Sequence, residues 1–187
     1  MSDVTDDEVV DDEAPAPEPP PRKHGVAVTD SLGQEVLHPD REGYHALVET
    51  LYGEGYLTLT DLTAVDYLAH PYRPVAPGVE AERFELVASF FDHAGRRRTR
   101  LRVQVPAGDP TVDSIVDLHP AADALEREVF DMFGIAFEGH PDLTRILMPE
   151  DWDGHPLRKD YAVGAIPVQF KGAGREQREP IDTEERS

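Results

Sequence analysis

From Leu125 to Tyr161 the chain is rich in large apolar side chains, yet Pro141, Pro149 and Pro156 keep its second part from forming regular structure. Gly134 divides a helical pattern from an irregular one. The irregular part carries Ile135, Phe137, Leu143, Ile146, Leu147, Met148, Trp152, Leu157 and Tyr161, which is too apolar for disorder. A long irregular segment that must nevertheless be ordered is best explained as a binding element.

The helical part turns by about 100° per residue. Leu125, Val129 and Met132 then share one stripe, with Phe133 beside it, facing the domain's own core. Arg127 and Asp131, four apart, are placed for an ion pair on the opposite side. Glu126 and Phe130 form a third face, and a solvated face has no need of Phe130. Either this helix meets a partner as well as its own core, or Phe130 reaches back over the core edge. Gly134 is expected to end the helix in the left-handed conformation, with Ile135 packing back on Phe130. Beyond it, Asp142, Arg145, Asp151, Arg158, Lys159 and Asp160 alternate in sign among the apolar anchors, an interface composition rather than that of a substrate pocket.

Upstream, residues 24–29 and 34–38 alternate around Asp30–Gly33, a hairpin signal. Residues 41–53 read as an amphipathic helix with Tyr44, Leu47, Leu51 and Tyr52 inward, and 56–67 as a strand. Residues 84–92 and 97–105, flanking Gly95, form the clearest hairpin. Residues 113–118 suggest a short element, and 121–133 the helix described above. Strands grouped with two helices imply an α+β fold, a mostly antiparallel or mixed sheet with helices on one face and a long irregular C-terminal extension. The expected division is an acidic disordered tail (1–23), an α+β domain (24–139), an extended strap (140–170) and a polar tail (171–187).

Charge and composition exclude several functions. A net charge of −20 argues against nucleic acid. No stretch approaches the roughly 20 apolar residues needed to cross a bilayer, and the acidic start lacks a basic leader, so a cytosolic protein, soluble or peripheral, is expected. Without cysteine there is no thiolate to ligate an iron–sulfur cluster and no thiol nucleophile. Neither a G-x-G-x-x-G string nor a Walker A motif occurs. Glu126 and Glu128, two apart on a helix, diverge by about 200° and cannot serve one substrate as acid and base; ion pairing or N–H acceptance suits them better. The histidines show no metal-ligand spacing. His140 is expected to fix the turn into the strap or to meet a partner loop, and His119 and His155 give no signal. No catalytic, cofactor or metal residue is therefore expected. Trp152 and Tyr161 read as interface anchors, with intradomain core as the alternative. The basic run Arg96-Arg97-Arg98 with Arg100 and Arg102 is either one solvated strand face or a contact for an acidic partner.

The string Glu126-Arg127-Glu128-Val129-Phe130-Asp131-Met132-Phe133-Gly134-Ile135, with Phe137 and Gly139-His140-Pro141-Asp142-Leu143, resembles the signature of the 30 kDa subunit family of proton-pumping NADH:quinone oxidoreductase, respiratory complex I. Arg145-Ile146-Leu147 and Asp151-Trp152 through Gly154, Pro156-Leu157-Arg158-Lys159-Asp160-Tyr161 extend the likeness, as do Gly55-Tyr56 and Asp61–Tyr67. Thr144 departs from it, where relatives carry a basic residue. The resemblance implies a non-catalytic subunit of the connecting arm, at the cytoplasmic side of the plasma membrane. Its strap would leave the domain to embrace the hydrogenase-large-subunit-like chain of the complex, with cluster-bearing subunits nearby. NADH, FMN, iron–sulfur clusters and quinone would belong to the complex and not to this chain. Glu126, Arg127, Glu128, Phe130, Asp131, Gly134, His140, Pro141, Arg145, Trp152, Arg158, Lys159, Asp160 and Tyr161 would form the partner interface. The equivalent subunit of a membrane-bound [NiFe] hydrogenase or F420H2 dehydrogenase complex is the alternative.

Overall fold

The computed structural model describes residues 21–162; residues 1–20 of the expected acidic tail, the expected polar tail, and the last part of the strap lie outside the described residues. Strands β1 (Arg22–Lys23), β2 (Val26–Ser31), β3 (Gln34–His38), β4 (Thr58–Asp66), β5 (Phe84–Asp92) and β6 (Arg97–Val105) form one sheet in the order β1-β2-β3-β6-β5-β4. All neighbours are antiparallel except β3 and β6. Helix α1 (Tyr44–Gly53) follows β3. Helix α2 (Ala122–Phe133) packs on β4, flanked by the parallel pair β7 (Thr111–Asp113) and β8 (Ala136–Glu138). The fold is α+β, with a mixed sheet.

The period-two pattern explains the sheet. Phe84, Leu86, Ala88 and Phe90 of β5 lie beside Val105, Val103, Leu101 and Thr99 of β6, and all are buried. Tyr44, Leu47, Val48 and Leu51 of α1 and Val129, Met132 and Phe133 of α2 complete one hydrophobic core. Asp92 Oδ1 accepts the Gly95 N–H at 2.9 Å and shapes the β5–β6 turn.

Local differences from expectation have local causes. Helix α1 starts at Tyr44 rather than residue 41, because Asp40 Oδ1 accepts the Gly43 N–H at 2.7 Å and holds 41–43 as a turn. Its inward stripe uses Val48 in place of Tyr52, whose ring lies at the rim against His119, 5.3 Å between centroids. Residues 113–118 contribute only the end of β7 before turning, with the Leu118 and His119 N–H groups both donating to Ile115 O. Arg22 and Lys23, expected in the tail, pair with β2 through a tight turn at His24 and Gly25.

The β2–β3 turn places Leu32 at φ 56° and Gly33 at φ 78°. This is the geometry that Asn-Gly adopts most easily, and a leucine side chain there meets a steric cost of roughly 1–2 kcal/mol. Leu32 is fully exposed and recovers none of it by packing. Replacing it, Leu32→Asn, is expected to raise the unfolding free energy by about 1 kcal/mol with an unchanged denaturant slope. Urea titration checks this; a lower midpoint would show that the leucine makes a contact in solution.

Candidate partner interface

Asp131 is fully buried near the end of α2. Its Oδ2 accepts three successive backbone N–H groups, those of Ile146 (3.1 Å), Leu147 (2.8 Å) and Met148 (2.8 Å). Its Oδ1 accepts Arg145 Nη1 at 2.6 Å. Burial alone would raise the carboxyl pKa. The Met148 N–H, the Arg145 guanidinium and the Leu147 and Ile146 N–H groups outweigh it, so the group sits below the ordinary aspartate value. Arg145 also donates to the carbonyls of Trp152 (3.1 Å) and Gly154 (3.1 Å), gathering the strap around one ion pair.

The expected Arg127–Asp131 pair is not formed. The i, i+4 rule describes an exposed helix, whereas here the strap lies over Asp131 and supplies Arg145 instead. Arg127 donates to the Thr144 carbonyl (3.0 Å), the Thr144 hydroxyl (3.0 Å) and the Arg145 carbonyl (3.1 Å). Thr144, the departure from the signature, thus provides an acceptor where a basic side chain would repel.

A second carboxylate holds the strap's far end. Asp66, at the end of β4, accepts the Lys159 N–H at 2.8 Å and the Leu68 N–H at 2.9 Å. Arg83 binds it through both Nε (3.1 Å) and Nη2 (2.8 Å) and reaches Asp160 at 2.8 Å. Burial opposes ionisation of Asp66, but Arg83 and the two N–H groups draw its pKa down to about 2.

Between the clamps, the Leu157 N–H donates to Met132 O at 3.0 Å, and Arg158 donates to the carbonyls of Phe133 and Gly134. These are carbonyls that α2 cannot satisfy within itself. Gly134 has φ 70° as expected, and its N–H donates to Phe130 O. A Cβ there would lie 2.5 Å from His155 Nε2 and 2.7 Å from an Arg158 nitrogen, so glycine is required twice over. His155 donates from Nδ1 to Asp131 O at 3.0 Å and stacks edge-on against Phe130, with centroids 6.2 Å apart. His140 fixes the turn into the strap: Nδ1 accepts the Asp142 N–H (3.1 Å) and Nε2 donates to Asp123 O (3.2 Å).

Several candidate residues are therefore consumed inside the chain. Glu126 is buried, accepting Ser114 Oγ at 2.6 Å and the Ile115 N–H at 2.9 Å, and has no surface left for a partner. Burial raises its pKa, against the opposing pull of those two donors. Asp131 and Arg145 serve each other, Arg158 serves the end of α2, and Phe130 is partly covered by His155, whereas Lys159 gives Asp66 only its backbone N–H and keeps its side chain exposed. Trp152, Gly154 and Tyr161 are half-buried in the strap, with Gly154 at φ 84° facing the Tyr161 ring. Glu128 and Pro141 remain exposed. Residues 140–162 thus lie on their own domain and do not depart from it. Asp66, Arg83 and His155 carry no signal in the sequence that marks them for this role. Lys159 lies 93 residues from Asp66, beyond any local spacing, and a lone histidine between Gly154 and Pro156 offers no motif.

Outward, the strap shows large apolar side chains among charged ones such as Asp142, Glu150, Asp151, Asp153 and Lys159. Its backbone is bound at Ile146–Met148 and Leu157, while Ile146 (41% exposed), Leu147 (56%) and Leu157 (44%) stay in solvent. Leu68, whose N–H binds Asp66, is also exposed (46%). Backbone bound at fixed points and bearing uncovered large apolar side chains is an arrangement that suits docking. A cavity of about 430 Å³ lies elsewhere, between the β1–β3 strands and residues 77–82, and none of the candidate residues lines it. Among the described residues no cluster of acids and histidines suits a metal, and no helix is long and apolar enough to cross a membrane.

The family described as "Respiratory-chain NADH dehydrogenase, 30 Kd subunit" matches residues 37–166. An NADH-quinone oxidoreductase subunit of Saccharopolyspora erythraea is 41% identical over 153 residues, 82% of this chain and 59% of that protein. "NADH-quinone oxidoreductase subunit 5" of Thermus thermophilus is 40% identical over 157 residues, 80% of this chain and 72% of that one. The chain spans about half the length of several curated relatives it matches. The solved structure "Nqo5 of the trypsin-resistant fragment (1-134) in P63 form" is 36% identical with TM-score 0.56, covering 64% of this chain and 90% of that one. A chain of an archaeal membrane-bound sulfane sulfur reductase shares the fold at TM-score 0.61 and 20% identity, covering 74% of this chain and 78% of that one.

Asp131→Ala leaves Arg145 and three N–H groups without their acceptor, a loss of about 3–5 kcal/mol for a buried pair broken on one side. Arg127→Ala removes only hydrogen bonds to strap acceptors and should cost about 1–3 kcal/mol. Hydrogen exchange of the 145–148 amides distinguishes them, with protection collapsing in the first variant and persisting in the second. The pH dependence has a definite sign. Asp66 and Asp131 have folded pKa values below their unfolded ones, so their contribution is complete above about pH 4 and is lost as pH falls through the folded values, toward about 2 for Asp66. Asp66 alone contributes on the order of 2 kcal/mol. Glu126 acts oppositely, its contribution falling as pH rises through its raised value. Protection factors of the 146–148 and 159 amides, that is, exchange measured against the intrinsic base-catalysed rate, should therefore fall on acidification below about pH 4, and protection that is unchanged there would refute the clamps.

Proposed function

This chain belongs to the family of the respiratory-chain NADH dehydrogenase 30 kDa subunit, and we propose that it is a cofactor-free positioning subunit in the peripheral arm of a proton-translocating NADH:quinone oxidoreductase. The observation that carries this is the clamped strap, held by Asp131 and Asp66 while Ile146, Leu147 and Leu157 stay uncovered. A surface fixed before contact loses little conformational entropy on docking, and so holds its partner firmly in place. That partner is the hydrogenase-large-subunit-like chain that borders the quinone cavity, with the cluster-bearing subunits as further neighbours. Electrons pass through the other subunits; this chain supplies geometry, to which rates of transfer and reaction are steeply sensitive. NADH, FMN, iron–sulfur clusters and quinone belong to those subunits. The chain sits on the cytoplasmic side of the plasma membrane, attached through its partners.

The test is recovery of the tagged chain from native membranes in mild detergent, followed by mass spectrometry and NADH:quinone activity of the recovered assembly. Co-purification of a hydrogenase-like large subunit with NADH-, flavin- and cluster-binding chains is expected; hydrogenase or F420-linked partners would move the chain to a related complex. The paired substitution Ile146→Glu and Leu147→Glu alters exposed side chains and leaves their clamped N–H groups in place. It should reduce recovery of partners at least tenfold, since about 1.4 kcal/mol suffices for that and burying two carboxylates costs more, while the urea midpoint of the isolated chain stays unchanged. Normal recovery with this variant would remove the strap from the interface.

A further inference from the structure

The sheet has two unlike faces, and one of them is covered only in part. Opposite the helices, residues in register share the outer face: Arg22 on β1, Ala27 and Thr29 on β2, Val36 on β3, Arg98, Arg100 and Arg102 on β6, and Ser89 and Phe91 on β5. At one end of this face Arg102 pairs with Glu85 at 2.6 Å, and Arg73 lies 3.6 Å from Glu85 and stacks on Tyr67. At the other end Arg98 lies over Phe91 at 5.3 Å, and Arg98 and Arg100 have no carboxylate within 4 Å among the described residues. The only acid of β4 on this side, Asp61, stands two strands from Arg100 and makes no ion pair with it. In a chain of net charge −20, uncompensated arginines aligned on one sheet face are an exception that asks for an acidic occupant.

The chain carries one. Between Asp3 and Glu13 there are seven acidic residues and no base, interrupted by Val4, Val9 and Val10. We propose that this segment docks on the outer face of its own sheet, its carboxylates on Arg98 and Arg100 and its valines toward Phe91 and Val87. The reach is sufficient. Neighbouring strands lie about 4.8 Å apart, so Arg100 is roughly 14 Å across the sheet from Arg22. The nine residue steps from Glu13 to Arg22 span up to about 30 Å. Tethering also favours the segment over any free acidic peptide, through its effective concentration near the face. An acidic segment so placed shields the arginines from other acidic surfaces, and any partner claiming that face must displace it. None of this depends on the role of the strap.

The full chain contains no cysteine, so Thr5→Cys accepts a nitroxide label at one place only. With the rest of the chain isotope-labelled, amide signals of Ser89, Phe91, Arg98 and Arg100 should be broadened at low salt. They should recover in roughly 1 M salt, where the screening length falls to about 3 Å. Reversing the charges with Arg98→Glu and Arg100→Glu should abolish the broadening, as should neutralising the segment with Asp6→Asn, Asp7→Asn, Glu8→Gln, Asp11→Asn and Asp12→Asn. The second variant leaves the sheet untouched and decides the matter if the first fails to fold. Absence of broadening at this face, or broadening that survives neutralisation, overturns the proposal. So does broadening seen only between spin-labelled and isotope-labelled copies in a mixture, which would assign the face to a second chain.

Discussion

The strap depends on one carboxylate. Asp131 is removed from water at the end of α2, an arrangement that costs several kcal/mol unless every lone pair is used. Three consecutive N–H groups and one guanidinium use them. The residues that donate these hydrogens lie 14 to 17 positions along the chain, in a segment with no secondary structure of its own. Without this anion nothing would satisfy the backbone of 146–148, and the segment would turn its N–H groups to water. The rest of the strap is built outward from this point: Arg145 collects the carbonyls of Trp152 and Gly154, His155 returns to Asp131 O, and Arg158 closes the end of the helix.

Much of the scaffold was legible in the sequence. Residues 84–92 and 97–105 were read at their observed bounds, because alternation on both sides of a Gly95 turn admits one register with the apolar set inward. Gly134 was legible because a left-handed helix end has a strong residue preference. The parallel pairing of β3 with β6 was not, since alternation says which face a strand buries and not which strand lies beside it. At the strap the spacing misled. Arg127 and Asp131 are neighbours on an isolated helix, but a tertiary donor from residue 145 fits the buried carboxylate better than a side chain that points to the surface. The apolar outward residues Ile146, Leu147 and Leu157 belonged to the segment singled out as a binding element, yet among the residues that hold them in place Asp66 and His155 lay within quoted strings with no role assigned, and Arg83 lay outside them.

Charge is distributed in the fold by task. The buried acids Glu85, Asp66 and Asp131 are each met by arginine, and two of them also by backbone N–H groups, so they specify geometry. Glu126 is the exception: it has hydroxyl and N–H donors but no cation, and burial therefore favours its protonated form. Asp66 and Asp131 on one side and Glu126 on the other respond to pH in opposite directions. The strap is thus held by acids whose ionised form the fold favours, while burial of Glu126 on α2 favours the protonated form.

The contact from Asp66 to Lys159 has a consequence in time. The chain must close a loop of 93 residues to make it, and such a contact forms only after the local hairpins are in place. The Asp131 clamp spans only 14 to 17 residues, so loop-closure entropy lets it close with its own helix, whereas the Asp66 clamp needs the β4–β5 framework beneath it. The strap is thus latched twice, once locally and once across the length of the domain.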